Sequence, residues 1–272
     1  MSAKFEGTQK SVKELGSAGN VVIQQPEIHS ICLEVSGTAD LIQNNFSQKA
    51  IEEMLRKHMG ISVQREKKVP RSCVENATIY NTSGMVCIPP VAFKKAMLTA
   101  AAQVKGLKKT QLRTQLYIEG KSIPITYEKM ESRMDMVRTS GIGRTPDVRF
   151  RPSFINWKAR IIIQFSHELQ VQSVVDLLSR SGNVGVGEWR PEKDGTFGTF
   201  IVTRNITDAE EVSEVRDLCA VPLKPITIPA WAMDAEVDPE VLQKIAGGQD
   251  EDDESEGEEE AESKPRRKSK VA

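Results

Sequence analysis

A strand–helix–strand pattern in the second half of the chain restricts the fold more than any other feature of the sequence. The run WKARIIIQF, residues 157–165, predicts a buried strand because it is short, apolar and rich in β-branched residues. The next segment, SHELQVQSVVDLLSRSG, predicts a helix that ends at Gly182. Four apolar residues share one face of that helix: Val171, Val174, Val175 and Leu178. NVGVGEW and FGTFIVT then predict a hairpin that turns at Asp194 and Gly195.

The opening of the chain carries a matching strand and helix. The run IHSICLEV alternates Ile31, Leu33 and Val35 with other residues, as a half-buried strand does. SQKAIEEMLRKHMG predicts a helix with Ser47 as its N-cap and Gly60 as its stop. Two such halves predict an α+β fold with a ferredoxin-like (RRM-like) core, in which a four-stranded antiparallel sheet carries two helices on one face.

The segments between the two halves predict further elements. Pro89 and Pro90 lead into a helix whose apolar stripe, which includes Phe93, we expect in the core. QLRTQLYIEGKSIPITY predicts a hairpin that turns near Gly120. The segment 130–154 has five arginines and little periodicity, so it predicts a long functional loop or an excursion from the sheet.

The end of the folded part is predicted from two local signals. Thr207 and Glu210 have the spacing of a capping box and predict a short helix after them. VPLKPITIPAW follows, and its three prolines predict a strap rather than a central strand. We therefore expect a flexible segment over 1–24, one RRM-like domain with long inserted loops over 25–232, and a disordered tail over 233–272, acidic and then basic.

Charge is distributed unevenly along the chain. With 37 Lys and Arg against 38 Asp and Glu, the formal net charge is −1. Residues 250–262 contain ten acids and no base, and residues 264–270 contain five bases and no acid. The remainder has 32 bases and 28 acids, a net of +4. Such charge blocks cannot bury enough apolar surface to fold. The acidic run has three interpretations: it competes with nucleic acid for a basic groove, it binds protein partners, or it only keeps the chain soluble.

Several classes of protein are disfavoured. No stretch of about 18 apolar residues predicts a membrane span, so we expect no membrane partner. The N-terminus has Lys and Glu where an export signal is apolar. The four cysteines are far apart and form no C-x-x-C pair, which disfavours disulfides and zinc and indicates a reduced, cytoplasmic setting. The three histidines lack ligand or triad spacing, and no Walker, G-x-S-x-G or H-E-x-x-H sequence occurs. We therefore expect a protein without catalytic residues, metal or cofactor.

Two basic regions favour nucleic-acid binding. Residues 103–121 have a local net charge of +4, and residues 133–160 have a local net charge of +5. Arginines dominate the second region, and guanidinium groups suit bidentate phosphate contacts and base stacking. Trp157 and Trp189 lie within or near it, and a basic surface with stacking aromatics is what single strands require. In the alternative interpretation, the tryptophans pack in the core or at its rim and the arginines pair with surface acids.

Two segments resemble a known family. IPPVAFKKAM, which begins at Ile88 after a glycine-containing strand, resembles the segment that opens a helix in the repeat-associated (RAMP) superfamily, which includes backbone subunits of CRISPR effector complexes. RFRPSFINWKARIIIQF and GNVGVGEWRPEKDGTFGTFIV resemble the ending of RAMP-like proteins often carried by bacteriophages. The resemblance implies an RRM-like binding subunit rather than a nuclease. It also implies copies stacked head-to-tail along a strand, in a bacterial host cell if the protein is viral.

The prediction is a non-enzymatic protein that binds single-stranded nucleic acid and forms a homo-oligomer or filament on it. Two alternatives stay open: a viral structural or assembly protein whose basic loop is a protein interface, and an RNA-processing enzyme. The sequence leaves open whether the strand is DNA or RNA and whether a guide RNA is involved. The predicted contact residues are Lys94, Lys95, Lys108, Lys109, Arg113, Arg138, Arg144, Arg149 and Arg151, with Trp157 and Trp189 for stacking and Arg190 beside the glycine-rich turn.

Overall fold

The computed structural model describes residues 27–60, 68–104, 106–138 and 146–233. The helices are α1 (Gln48–His58), α2 (Pro70–Ala77), α3 (Pro90–Ala100), α4 (Lys109–Gln115), α5 (Val171–Val184), α6 (Ala209–Ala220) and α7 (Ala230–Met233). The strands are β1 (Ile28–Gly37), β2 (Leu41–Ile42), β3 (Cys87–Ile88), β4 (Leu116–Ile118), β5 (Ile123–Thr126), β6 (Lys129–Arg138), β7 (Pro146–Ile155), β8 (Lys158–Ser166) and β9 (Phe200–Ile206). The predicted flexible segment 1–24, Arg144 and the tail beyond Met233 lie outside the described residues.

The main sheet has the strand order of a ferredoxin-like fold. Its neighbours run β5-β8-β1-β9, all antiparallel, with β3 outside β5 and β4 also paired with β8. The chain goes from β1 through α3 to β4 and β5, and from β8 through α5 to β9. Helices α3 and α5 contact each other, and their buried residues share one core with the inner side of the sheet. The predicted α+β, ferredoxin-like core is therefore confirmed.

The helix that completes the first half of this core is α3 and not α1. Helix α1 begins at the predicted N-cap, Ser47, and Gly60 follows its end with a φ of 70°, but none of its residues is buried. Helix α3 places Phe93, Ala96, Met97 and Ala100 in the core, as its apolar stripe predicts. The pairing of the first strand with α1 was wrong because a cap and a narrow apolar stripe define a helix but not what it packs against.

The predicted hairpin near Gly120 is also wrong. Strands β4 and β5 both run antiparallel to β8, with Ile118 opposite Ile163 and Ile125 opposite Ala159. They therefore run in the same direction, as one strand interrupted around Gly120. The interruption is held by α6, because the N–H groups of the two residues after Gly120 donate to the carbonyl oxygen of Cys219.

Helix α6 covers part of the sheet face that α3 and α5 leave free. Val215 and Cys219 of α6 pack on Cys32, Ile162 and Ile206, and all five are buried. The helix begins one residue later than predicted, since its N-cap is Asp208, whose carboxylate accepts from the N–H of Glu211. This covering removes much of the outer sheet face as a platform for bases. The segment after α6 forms the predicted strap, held by Gln48, which contacts the backbone of Thr227.

The arginine-rich segment, predicted as a long functional loop or an excursion from the sheet, forms a long hairpin. Strands β6 and β7 pair over ten residues each, from Lys129 opposite Ile155 to Arg138 opposite Pro146. With β2 they form a second, three-stranded sheet. The sequence of this hairpin does not alternate regularly between apolar and polar residues because much of the hairpin is exposed to solvent. Met134 is 68% exposed and Met136 is 76% exposed.

Only one arm of the hairpin predicted around Asp194 and Gly195 is a β-strand. The second arm is strand β9, but the first arm is an irregular loop that contains a 3-10 turn, Pro191–Lys193. This loop packs tightly, because a Cβ on Gly187 would lie 2.5 Å from the carbonyl oxygen of Ile42. Gly187 therefore allows the loop to pack closely against β2.

Candidate nucleic-acid interface

Three of the six arginines predicted to contact a strand, Arg149, Arg151 and Arg190, are paired with acids, and so are several other arginines of the chain. Arg133, Arg149, Arg151, Arg160, Arg190, Arg204 and Arg216 each have a carboxylate within 4.0 Å. A base whose charge is balanced in this way has less electrostatic attraction left for a phosphate. The alternative that the sequence left open, arginines paired with surface acids, therefore describes much of residues 133–160.

Arg151 was predicted to contact a strand, and its burial contradicts this. The residue is 2% exposed, and its Nη1 lies 3.7 Å from Asp135, which also accepts from Arg133 over 2.6 Å. Burial lowers the pKa of Arg151, against the opposing influence of Glu188 and Asp135. The sequence pattern does not reveal this burial, because Arg149 lies two residues earlier on the same face of β7 and is exposed.

Trp157 was predicted to stack on bases, and its burial contradicts this as well. It is 0% exposed, and its indole N–H donates to the carbonyl oxygen of Ala39 over 2.9 Å. Phe200 packs against it edge to face, and Gly37 leaves it room, since a Cβ there would lie 2.1 Å from the indole nitrogen. Trp157 is a core residue.

The remaining predicted residues of this region differ in accessibility. Trp189 is 37% exposed and has a φ of 54°. Arg190 forms an ion pair with Glu192 over 2.7 Å and donates to the carbonyl oxygen of Gly187, so its charge is balanced locally. Arg149 has a half-exposed side chain with Asp147 4.0 Å away, and Arg138 is exposed at the end of β6. Arg144 lies outside the described residues.

The other five predicted bases lie on, or directly before, helices α3 and α4. Lys94 and Lys95 lie on α3, Lys108 is the N-cap of α4, and Lys109 and Arg113 are one helical turn apart on α4. Lys94 donates to the carbonyl oxygen of Arg113 over 3.0 Å, which joins the two helices. We call these five residues the α3–α4 basic surface. Lys94 is half-buried, and the other four are exposed.

No member of the α3–α4 basic surface forms an ion pair with an acid of the described chain. Within the sequence, residues 76–118 contain six bases and no Asp or Glu, so none of these bases has an acid in its own stretch. The nearest acidic influence is Glu192. Burial raises the pKa of Glu192, but hydrogen bonds from Arg190 and Thr99, with the nearby charge of Lys95, lower it overall. This stretch of 43 residues without an acid could have been found in the sequence, but the net charges of 103–121 and 133–160 do not show it.

The N-terminus of α3 adds little to anion binding. Pro89 and Pro90 have no N–H group, and the N–H of Ala92 already donates to the carbonyl oxygen of Pro89. A helix N-terminus binds phosphate through free N–H groups, so this one offers few donors. The lysine side chains therefore carry the attraction for anions on this helix.

One cleft borders the α3–α4 basic surface at Lys95, and a second cleft lies next to the first. The first has a volume of about 300 Å³ and is lined by Lys95, Asn44 and the loop of Gly187 and Arg190. The second has a volume of about 590 Å³ and lies between α1, α2 and β7. Asn44 lines both. This second cleft was not predicted from the sequence, because it forms only where β7 lies beside α1 and α2, which come from a distant part of the chain. Its charged lining residues are Lys49, Glu53, Lys57, Lys68, Asp147 and Arg149.

The described residues were predicted to hold neither a metal site nor a membrane span. Across the described ranges, no three His, Cys, Asp or Glu side chains are grouped so that they could hold a metal ion. Among the described helices, none has both the length and the apolar character needed to cross a membrane.

Comparison with known proteins gives structural neighbours only. No family model and no curated protein sequence matches the chain. A chain of the Type III-B Cmr-beta complex bound to cognate target RNA aligns at 10% identity with a TM-score of 0.41, over 66% of this chain and 60% of that one. Cmr6 from Pyrococcus furiosus aligns at 8% identity with a TM-score of 0.36, over 66% of this chain and 100% of that one.

Proposed function

We propose that this protein is a non-enzymatic nucleic-acid-binding protein whose α3–α4 basic surface contacts the phosphate backbone of a single strand. One observation carries the proposal: five bases lie on two joined helices, and no acid of the described chain forms an ion pair with them. A polyanion releases counterions when it pairs with such groups, which is the main source of sequence-independent affinity.

A single strand is favoured over a duplex by the clefts beside this surface. The two clefts are adjacent, because both are lined by Asn44; Lys95 lines the first, and Lys57 and Lys68 line the second. Trp189 is exposed on the loop that borders the first cleft, and an aromatic ring there offers a stacking surface for one base. DNA and RNA are not distinguished by these contacts.

A titration of the full chain against labelled single-stranded RNA, single-stranded DNA and duplex tests the proposal. Fluorescence anisotropy at 50 and 200 mM KCl should give affinity that falls steeply with salt, and tighter binding to a single strand than to the duplex. Five to six phosphate contacts predict a log–log salt slope of about −4 on a single strand. If no strand binds at 50 mM KCl, the proposal fails. Tighter binding to the duplex would refute the single-strand assignment.

A second function is favoured by the exposed apolar face of the β6–β7 hairpin. Met130, Met134, Met136 and Val148 lie on one side of it and are 40–76% exposed. Exposed apolar surface of this kind is typical of protein interfaces. The corresponding proposal is a structural or assembly protein whose copies meet through this hairpin.

Electron microscopy and sedimentation separate the two. Head-to-tail filaments that form only with nucleic acid support assembly along the strand, which the RAMP resemblance implies. Oligomers of the same size with and without nucleic acid, lost in Met134→Ser/Met136→Ser, favour the structural protein. A monomer under both conditions refutes assembly while leaving binding to the titration.

A further inference from the structure

The chain carries an acidic segment that is complementary in charge to the α3–α4 basic surface. Residues 250–262 contain ten acids and no base, whereas residues 76–118 contain six bases and no acid. The basic surface has no ion-pair partner among the described residues, so its charges are available to any polyanion that reaches them. An acidic peptide and a nucleic-acid backbone present the same negative charge to these ammonium and guanidinium groups.

The acidic segment is tethered closely enough to reach that surface. Sixteen residues, 234–249, separate the last described residue from Asp250. Such a connection spans up to about 55 Å. A domain of this size has a radius of gyration of about 16 Å, so it is about 40 Å across. A tether of this length gives a local concentration on the order of millimolar, which makes weak ionic contacts effective.

We infer that residues 250–262 bind the α3–α4 basic surface and compete there with nucleic acid. The inference rests on the proposed function for its consequence, which is regulation of the binding site by the protein's own tail. The contact is intramolecular, so it opposes weak, non-specific strands more than strands that make additional contacts. The five bases of residues 264–270 follow directly and give the displaced tail a second contact with the strand.

Carbodiimide cross-linking of the full chain tests the contact without nucleic acid. Cross-links between carboxylates of 250–262 and lysine amines, located by mass spectrometry at low salt, should concentrate on Lys94, Lys95, Lys108 and Lys109. Lys121 and Lys158 are exposed lysines elsewhere on the domain and serve as controls. Cross-links confined to these controls or to the lysines of 264–270, or no cross-links at all, would overturn the inference.

Strand affinity tests the competition separately. A full-length variant with all ten acids of 250–262 changed to Asn or Gln should bind a single strand about tenfold more tightly at 50 mM KCl, and the gain should shrink as salt rises. The control, Glu210→Gln/Glu214→Gln/Asp217→Asn on α6, removes three acids instead of ten and should leave affinity unchanged, whereas an equal gain per charge would make its binding about twofold tighter. A gain per charge as large in the control would overturn competition. If neither variant nor wild type binds, the proposed function fails, while the cross-linking result still decides the contact.

Discussion

Lys94 donates a hydrogen bond to the backbone carbonyl oxygen of Arg113 and so joins helix α3 to helix α4 at the centre of the basic surface. Lys94→Met removes this bond and one charge, whereas Lys94→Arg keeps a donor and the charge. We expect Lys94→Met to lower the free energy of unfolding by about 1 kcal/mol. We also expect it to reduce the log–log salt slope of strand binding by about 0.7.

Urea unfolding and anisotropy titrations check both effects. Lys94→Arg should stay close to wild type in each. Unchanged affinity and slope in a folded Lys94→Met variant would mean that Lys94 is a structural bridge and not a strand contact.

The buried pair of Arg151 and Asp135 should respond asymmetrically to substitution. Asp135→Asn leaves Arg151 buried without its opposing carboxylate, and we expect a loss of about 3 kcal/mol or more in the free energy of unfolding. Arg151→Met leaves Asp135 paired with Arg133 and removes two buried N–H groups that have no hydrogen-bond acceptor among the described residues. We therefore expect it to stay within about 1 kcal/mol of wild type.

Urea denaturation with equal m-values for the two variants measures this difference. If Arg151→Met is more destabilising than Asp135→Asn, Arg151 stabilises the fold through contacts other than its ion pair with Asp135. Strand affinity per folded molecule should be unchanged in Arg151→Met, because its side chain does not reach the surface.

Trp157 should matter for stability and not for binding. Trp157→Phe removes the donor for the carbonyl oxygen of Ala39 and leaves a space beside Phe200. We expect a loss of about 2–4 kcal/mol, which a thermal melt would detect. Strand affinity, measured below the melting transition, should be within twofold of wild type. A large loss of strand affinity with unchanged stability in Trp157→Phe would mean that Trp157 stacks on a base despite its burial.

The cysteines should differ in reactivity. Burial raises the pKa of Cys32 to about 11 and that of Cys219 to about 12, and it also raises the pKa of Cys87. Cys73 is only partly buried. Because the thiolate is the reactive form, a raised pKa leaves little of it at pH 8. A disulfide-exchange reagent should therefore label one thiol rapidly in the native protein and all four after denaturation. Rapid labelling of two or more native thiols would contradict the burial described for them.

Local sequence patterns predicted most of the elements because they depend on neighbours in the chain. The alternation in β1, the apolar run of β8 and the stripe of α3 each state which face is buried. The Ser47 N-cap of α1 was predicted for the same reason. The contacts between elements were predicted less well. Helix α1 was predicted in the position that α3 occupies, and β4 and β5 were predicted as a hairpin although they run in the same direction.

The candidate site divides in the same way. The bases on α3 and α4 lie in a stretch of sequence without acids, which predicts the positive charge of this region, but the absence of ion pairs to acids elsewhere required the structure. Arg151 and Trp157 were assigned to the surface because composition shows charge and aromaticity but not the direction of a side chain. Arg151 pairs with Asp135 only through the β6–β7 register, and Trp157 is enclosed by Gly37, Ala39 and Phe200, which are distant in sequence. Contacts of this kind require the tertiary structure.

A charge-matched pair of variants tests whether the α3–α4 basic surface binds the strand. Lys108→Gln/Lys109→Gln removes two exposed charges from that surface, and Lys121→Gln/Lys158→Gln removes two exposed charges elsewhere. The measurement is the log–log salt slope of single-strand binding from 50 to 200 mM KCl. We predict a slope shallower by about 1.4 for the first variant and unchanged for the second. Equal slopes for both variants, or a change in the second alone, would show that the strand does not bind at α3 and α4.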